Sequence, residues 1–451
     1  MKLQLLFLTS LFSSVCLAQF NPAQVIDDDA TSGGIKHIYA EDLNNDGLKE
    51  VVVARGYNFD NITVYQNNGN GNFSENLIDN LAEAEYVTSA DLNENGFQDL
   101  IALSESGGNL LWYPNNNGNI GSAIPIDSEV SFGKSIVSAD FNNDSHTDLV
   151  VIWQHAINFY ENDGNGNFTK NEILTTSTSP NILECWTLTK ADVNNDGNMD
   201  VITGETIGGV IYVNDGNANF TPQTFTDSSH STITSLAIFD VNNDTFLDAV
   251  IHRATGDISL YINQGNNSMN FNFHSDLMQV NSSSIKLIEY TDVNDDGNMD
   301  LYTAFDGKPR VFVNDGNLDF SNEIILDDNQ NIFVDEVFVS DLNNDANKEF
   351  FWSAAGNTLA FQTFGNLSTE KFGQSKLKIF PNPTKNFIQI QQEKNQLFSA
   401  NIYSLLGKKL VPEFKLKSNT KIDVSFLSPG IYLLQTTTEN GKSNFQKFIK
   451  K

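Results

Sequence analysis

Cysteine is nearly absent from this 451-residue chain, which has two, Cys16 and Cys185. The first falls in residues 1–18, MKLQLLFLTSLFSSVCLA, where one lysine precedes an apolar run and small residues. That is the build of a secretory leader, whose removal would make Gln19 the first mature residue. One thiol then remains, so internal disulfides are excluded as cross-links. No small residue of the lipoprotein type precedes Cys16, so a lipid anchor is not expected. Past the leader, no stretch reaches the roughly 18 apolar residues of a membrane span. Positive charge is scarce too: 26 Lys and Arg stand against 57 Asp and Glu, a net charge of −31. Such a surface repels phosphate backbones and anionic lipid, which excludes nucleic acid as a partner and favours cations.

What the chain does have is repetition. A nonamer recurs as DLNNDGLKE (42–50), DLNENGFQD (91–99), DFNNDSHTD (140–148), DVNNDGNMD (192–200), DVNNDTFLD (240–248), DVNDDGNMD (292–300) and DLNNDANKE (341–349). Successive starts lie 49, 49, 52, 48, 52 and 49 residues apart. Each copy is followed after 24 to 27 residues by a glycine in an Asn-rich turn, as in NDGNGNF (162–168). Between the two signals run short β-branched and aromatic segments such as EVVVA, NITVYQ and DLVVIW. Each period therefore reads as four antiparallel strands in about 50 residues, the size of a propeller blade. After the seventh hairpin, at Gly365, the pattern stops one strand short, while FNPAQVID (20–27) supplies a fourth-strand segment at the chain start. The expected fold is all-β: a seven-bladed propeller over 19–365, with the N-terminal strand closing the last blade.

Within the nonamer, oxygen-bearing side chains fall at positions 1, 3, 5 and 9. These are Asp42, Asn44, Asp46 and Glu50; Asp91, Asn93, Asn95 and Asp99; Asp140, Asn142, Asp144 and Asp148; Asp192, Asn194, Asp196 and Asp200. The remaining copies give Asp240, Asn242, Asp244 and Asp248; Asp292, Asn294, Asp296 and Asp300; and Asp341, Asn343, Asp345 and Glu349. Calcium takes six to eight oxygens at ~2.3–2.6 Å, and a tight acidic turn presents oxygens on one side. Good turn-forming residues explain positions 3 to 6. An acid at positions 1 and 9 of every copy calls for a neutralising cation, so up to seven Ca²⁺ are expected. Position 12 of the first copy is Val53, inside a strand, which excludes an EF-hand. Position 6 should be left-handed, and Ser145, Thr245 and Ala346 replace glycine there.

The period, the D-x-N-x-[DN]-G-x-x-[DE] turns and the NDGNGNF hairpins resemble FG-GAP/VCBS-type repeats over residues 20–365. That resemblance implies a seven-bladed propeller with calcium on one face, matched position by position above, and leaves the partner open.

Residues 377–451 differ in charge, with 12 Lys and 4 acids. A polar linker, 366–376, separates them from the repeats. Short strands in this tail predict a small β-sandwich. The order PNPT (381–384), IYSLLGKKL (402–410), LSPGIYLLQ (427–435) and a basic last strand resembles the C-terminal sorting domain of the type IX secretion system. The resemblance implies export across the outer membrane by that machinery, then release or surface attachment.

Ligand residues are sought on the face opposite the acidic turns, where loops on a rigid scaffold concentrate function. All three arginines, Arg55, Arg253 and Arg310, are expected in or beside loops between second and third strands, joined by Tyr57, Trp153, His155, His252 and Lys308. Tyr86, Trp186 and His230 are assigned to loops between blades. Aromatic rings and cations together suit a glycan or an extracellular surface protein, giving a non-enzymatic, monomeric binding or adhesion module. The alternative is a lyase-like polysaccharide-degrading enzyme with His155, His230 or His252 as base and an arginine beside it. A surface spacer is the third reading. No nucleophile motif, zinc cluster or phosphate loop stands out.

Overall fold

A computed structural model describes residues 19–451 except 21–22, 29–33, 57–59, 106–107, 131, 154–155, 176–184, 207, 227–231, 266–268, 281–286, 295, 328–333, 346, 355–357, 366–377, 392–397, 405–408, 411–413, 417–420, 429 and 439–442. The leader 1–18 and the linker 366–376 thus lie outside the described residues. All regular structure among the described residues is strand, and no helix there is long and apolar enough to cross a membrane.

Seven antiparallel sheets follow one another, the first six each built of strands adjacent in the chain. The first contains Ile35–Glu41, Glu50–Arg55, Asn61–Asn67 and Phe73–Asp79 in that order. Its burial pattern shows how the chemistry selects each strand's place. The second strand, EVVVAR, is buried at every residue because neighbouring sheets cover both its faces. The fourth, FSENLID, is polar and mostly exposed, as an outer edge requires. The first strand lies innermost, and its counterparts line a central channel. Apolar side chains pack sheet against sheet all the way round; Val52 and Val64 of the first sheet meet Leu100 and Ala102 of the second.

Closure comes from the chain start. Gln24–Asp27 pairs with Thr358–Gly365, Gln24 opposite Phe361 and Val25 opposite Ala360, and so becomes the fourth strand of the last sheet. The last sheet then packs on the first through Phe351 and Phe361 against Ile38, Val51 and Val53. The junction also has a polar clasp. Asp27 Oδ2 accepts from Arg55 Nη2 at 2.7 Å and from the Tyr65 hydroxyl at 2.5 Å, with Arg55 only 1% exposed. The tyrosine half of this clasp recurs: Tyr113 donates to Asp79, and Tyr160 to Asp127, both at 2.9 Å. In all three, a third-strand tyrosine reaches the aspartate that ends the previous sheet's fourth strand.

A second device repeats more widely. The asparagine entering each of the first six hairpins, Asn162 for example, is buried. Its Nδ2 donates to the Leu92 carbonyl of the preceding sheet at 2.9 Å and to the Thr147 carbonyl at 3.0 Å, and its Oδ1 accepts from Gly164 at 3.2 Å. Asn67, Asn115, Asn214 and Asn314 make the same contact to Leu342, Leu43, Phe141 and Val241, at 2.7–3.2 Å. These glycines accept no side chain lightly: Gly164 has φ +77°, and a Cβ there would come within 2.5 Å of His146.

Residues 366–451 form a separate compact unit. It has a three-stranded sheet with Phe387–Gln391 in the middle and a four-stranded sheet with Phe398–Ser404 and Gly430–Thr438 inside. Ile388, Ile390, Ile402, Leu434 and Phe448 make its core, in keeping with the expected sandwich.

Two stability measurements test these devices. Asp27→Ala strands a buried guanidinium, so chemical denaturation should show a loss of about 2–3 kcal/mol, against under about 0.5 kcal/mol for the exposed neighbour Asp28→Ala. Asn162→Ala leaves the Leu92 and Thr147 carbonyls without their amide donor and should cost about 2–4 kcal/mol, while Asn165→Ala on the exposed hairpin tip should be near neutral.

Candidate functional site

Each acidic turn joins the first and second strands of its sheet, so the turns crowd one face of the ring. Neighbouring turns touch: Asn45 Nδ2 donates to the Gly96 carbonyl at 3.2 Å, and Asn143 Nδ2 to Asn198 Oδ1 at 2.9 Å. Inside a turn the side chains organise the backbone. Asp42 Oδ1 accepts from Asp46 N at 3.1 Å and Oδ2 from Gly47 N at 2.8 Å, while Asn44 Oδ1 accepts from Asp46 N and Asp46 Oδ1 from Leu48 N, both at 2.8 Å. The copies beginning at Asp91, Asp140, Asp192, Asp240 and Asp292 repeat the position-1 pair. The left-handed residue expected at position 6 is there, with φ 75° at Ser145 and 76° at Thr245. Ala346 lies outside the described residues. Position 4 is left-handed as well, as at Asn45 (φ 58°) and Asn195 (φ 58°), which fits the asparagine found there.

The position-9 acid has a different place from the other two. Asp99, Asp148, Asp200 and Asp300 are 0% exposed, and Glu50, Asp248 and Glu349 no more than 2%. One carboxylate oxygen accepts from the position-2 amide in every copy, at 2.8–3.2 Å. In five copies the other accepts from the hairpin asparagine's main-chain N–H, at 2.6–2.9 Å. Burial outweighs these donors and pushes Asp148 and Asp248 up to about 7; the acids at positions 1 and 5 add to the rise. The acids at positions 1 and 9 thus have main-chain partners, so their presence in every copy does not by itself demand a cation. Among the described residues no three His, Cys, Asp or Glu side chains converge as a metal-holding group. The donor chemistry nevertheless fits a hard cation: every donor is oxygen, and an oxygen that accepts one N–H keeps a second lone pair. The second copy is the poorest, because Asn95 replaces the position-5 carboxylate and its Nδ2 is tied to the Asn115 carbonyl at 2.8 Å.

The expected ligand residues are not assembled into one open face. Arg55 and Arg253 end second strands, beside the loops as expected, but both are buried and so are not on an open face. Arg253 Nη1 donates to Ser259 Oγ at 2.6 Å, and its Nη2 bonds the Tyr261 hydroxyl. His252, beside it in the strand, is 0% exposed with Nδ1 2.6 Å from Thr234 Oγ1. Arg310 sits within a third strand, paired with Glu323 and stacked 4.1 Å from the Phe305 ring centre; Lys308 starts that strand. Trp153 ends a second strand with Lys170 Nζ 4.7 Å from its ring centre. Tyr86 belongs to an innermost strand and stacks on His37, ring centres 3.9 Å apart. Tyr57, His155 and His230 lie outside the described residues, as does the side chain of Trp186.

The central channel was not among the expected sites. It encloses about 730 Å³, and Tyr39, Tyr86, Lys190, Glu289 and Tyr290 project from its walls. The only sequence signal is a charge within otherwise small or apolar inner strands, as in the Glu of IEYT.

His37 yields a pH prediction. Burial pushes its pKa down to about 4 from an ordinary value of 6.5, so between those values the unfolded chain binds a proton that the fold excludes. Stability should therefore fall by up to about 3 kcal/mol as pH drops from 6.5 to 4, then level off. His37→Phe, which keeps a ring against Tyr86, should remove that component in denaturation curves recorded across this range.

Comparison with known proteins follows the architecture. Residues 42–102, 91–151, 140–203 and 192–251 match the FG-GAP-like repeat, and 378–451 match the secretion system C-terminal sorting domain. No curated protein matches the chain. Among solved structures it is similar to an Agrocybe aegerita lectin described for specific recognition of non-reducing terminal N-acetylglucosamine. The identity is 19%, over 65% of this chain and 80% of that one, with a TM-score of 0.51. It is also similar to BBS1N, solved in complex with ARL6DN, at 12% identity over 77% of this chain and 98% of that one, TM-score 0.53. At such identities the likeness is one of fold. The chain is an FG-GAP-repeat β-propeller with a C-terminal sorting domain, an extracellular protein exported by type IX secretion.

Proposed function

We propose that the propeller is a calcium-loaded, non-enzymatic recognition module, monomeric, released or held at the outer cell surface, with a glycan or a surface protein as its partner. The observation that carries the calcium reading is the sevenfold recurrence of an oxygen-only turn on one face, with exposed or half-buried acids at positions 1 and 5 beside a buried one at position 9. Burial first, and then the charges of Asp144 and Asp140, push the pKa of Asp148 up, and a divalent ion beside them would offset that repulsion. Glycan is the first ligand class to try, because a lectin of the same fold recognises a terminal amino sugar. The lyase alternative needs an accessible imidazole near an arginine. His252, the described histidine next to an arginine, is sealed inside its sheet.

Calorimetric titration of chelator-treated protein with Ca²⁺ should give a stoichiometry of several ions per chain, up to seven. Adding EDTA to the loaded protein should lower its melting temperature by about 10 °C or more, since each occupied site at 100 times its Kd contributes roughly 2.7 kcal/mol. No heat of binding and an unmoved melting curve would remove calcium from the reading. A glycan panel scored separately for retention and for chain cleavage then tests recognition: cleavage without turnover-free binding would favour an enzyme.

A further inference from the structure

The wall of the central channel carries a carboxyl group and an ammonium group that do not meet, besides Asp91 of the second acidic turn. Glu289 comes from the innermost strand of the sixth sheet and Lys190 from that of the fourth. Glu289, half-buried, makes no hydrogen bond or ion pair among the described residues. Lys190 directs its ammonium to the Ser138 carbonyl and to no carboxylate there. The other two lysines of the described innermost strands are paired: Lys36 with Glu85 at 2.9 Å, and Lys134 with Glu105 at 3.3 Å. An isolated charge facing a confined lumen loses hydration without recovering it from a partner. Glu289 accordingly has its pKa pushed up to about 8 by burial alone, and burial lowers that of Lys190. Neither is relieved by the other, although both face one lumen of about 730 Å³, ample for a small organic molecule. Small polar and aliphatic side chains make most of the remaining wall, with three tyrosines, Tyr39, Tyr86 and Tyr290, among them. The Tyr86 hydroxyl lies within the fields of Glu289 and Glu336, and Tyr290 stacks on Phe239 at 4.4 Å beside Glu289. Such rings accept an ammonium group over their faces or an aliphatic spacer along them.

We propose that the central channel binds a small zwitterion, its ammonium on Glu289 and its carboxylate on Lys190, with the tyrosine rings against the spacer between them. A metal ion is disfavoured by the absence of a converging carboxylate group among the described residues, and a purely cationic ligand by Lys190 in the same lumen. The lumen borders the acidic turns at Asp91, Gln98 and Thr147, so it is tested both with and without calcium.

The test uses the mature full chain, with and without calcium, titrated calorimetrically with a series of ω-amino acids from β-alanine to 6-aminohexanoate. Each is compared with the amine and the carboxylic acid of the same carbon number. The proposal expects one spacer length to bind at least about tenfold more tightly than either singly charged analogue, the equivalent of one well-made charge contact. Glu289→Gln and Lys190→Gln, each checked for an unchanged melting curve, should both abolish that advantage. Equal affinity for amine, acid and zwitterion, or no binding at any length, overturns it. So does a zwitterion preference that survives both substitutions. Because the ligand series is read on the unsubstituted protein, the result stands even if a variant misfolds.

Discussion

Hydrogen bonds around the ring form a nearly continuous belt, and the rest of the architecture hangs on it. In one sheet the position-9 carboxylate accepts from the position-2 N–H. The carbonyl of that same position-2 residue accepts from the hairpin asparagine of the next sheet. That asparagine's own main-chain N–H donates to the next position-9 carboxylate, and the sequence begins again. Every group in the belt is buried, so each broken link exposes a donor or acceptor to no alternative partner, costing about 1–3 kcal/mol instead of the smaller net worth of an ordinary hydrogen bond. Apolar packing alone holds sheets together without fixing how far one slides on the next, since valines and isoleucines interchange neighbours at little cost. Directional bonds at one radius of every interface set the register. In a chain whose one described cysteine is free and buried, this belt takes the place that cross-links hold in other exported proteins.

The belt is regular, but the outer ends of the sheets are not. Three consecutive junctions, beginning with the one that closes the ring, add a tyrosine-to-aspartate bond between sheets. Further round, the equivalent tyrosines turn to their own sheets: Tyr212 donates to Glu205 at 2.9 Å, and Tyr261 bonds Arg253. The closing junction is also the one where the covalent chain is interrupted, because its fourth strand comes from the other end of the sequence. Arg55 reinforces it by bridging Asp27 and Tyr65. Polar reinforcement is thus concentrated where chain connectivity gives least help. Loop-closure entropy makes such a long-range strand pairing costly, and a buried charged clasp is a physical means of offsetting it.

Much of this was legible in the repeats. Period, strand alternation and the missing fourth strand lead to the sheets and to Gln24–Asp27 as the closing segment, because each depends on local periodicity that a linear reading captures. The belt was not legible. Asn162 looks like a turn residue, and it is one; its partner Leu92 is 70 positions away, a distance set by the stacking of sheets. The arginines misled for a related reason. Arg55 and Arg253 stand where an apolar strand gives way to a loop, and a cation there reads as exposed. Their real setting is fixed by a tyrosine from the third strand, which neutralises the cost of burial through its hydroxyl and ring face.

The acidic turns serve two ends that the nonamer alone does not separate. Position 9 belongs to the fold: it is inside, bound to the belt, and its carboxylate is spoken for by two main-chain amides. Position 1 shapes the turn through the amides of positions 5 and 6 while remaining half-exposed, and position 5 points outward. An ion seated among them would contact acids already oriented by the backbone, so little conformational entropy remains to be lost on binding. It would also cancel the mutual repulsion that a ring with this charge excess accumulates on one face. The same arrangement explains why the turn tolerates Asn95 at position 5 but shows Asp or Glu at position 9 in all copies: the first substitution weakens a cation's environment, whereas the second would break the belt.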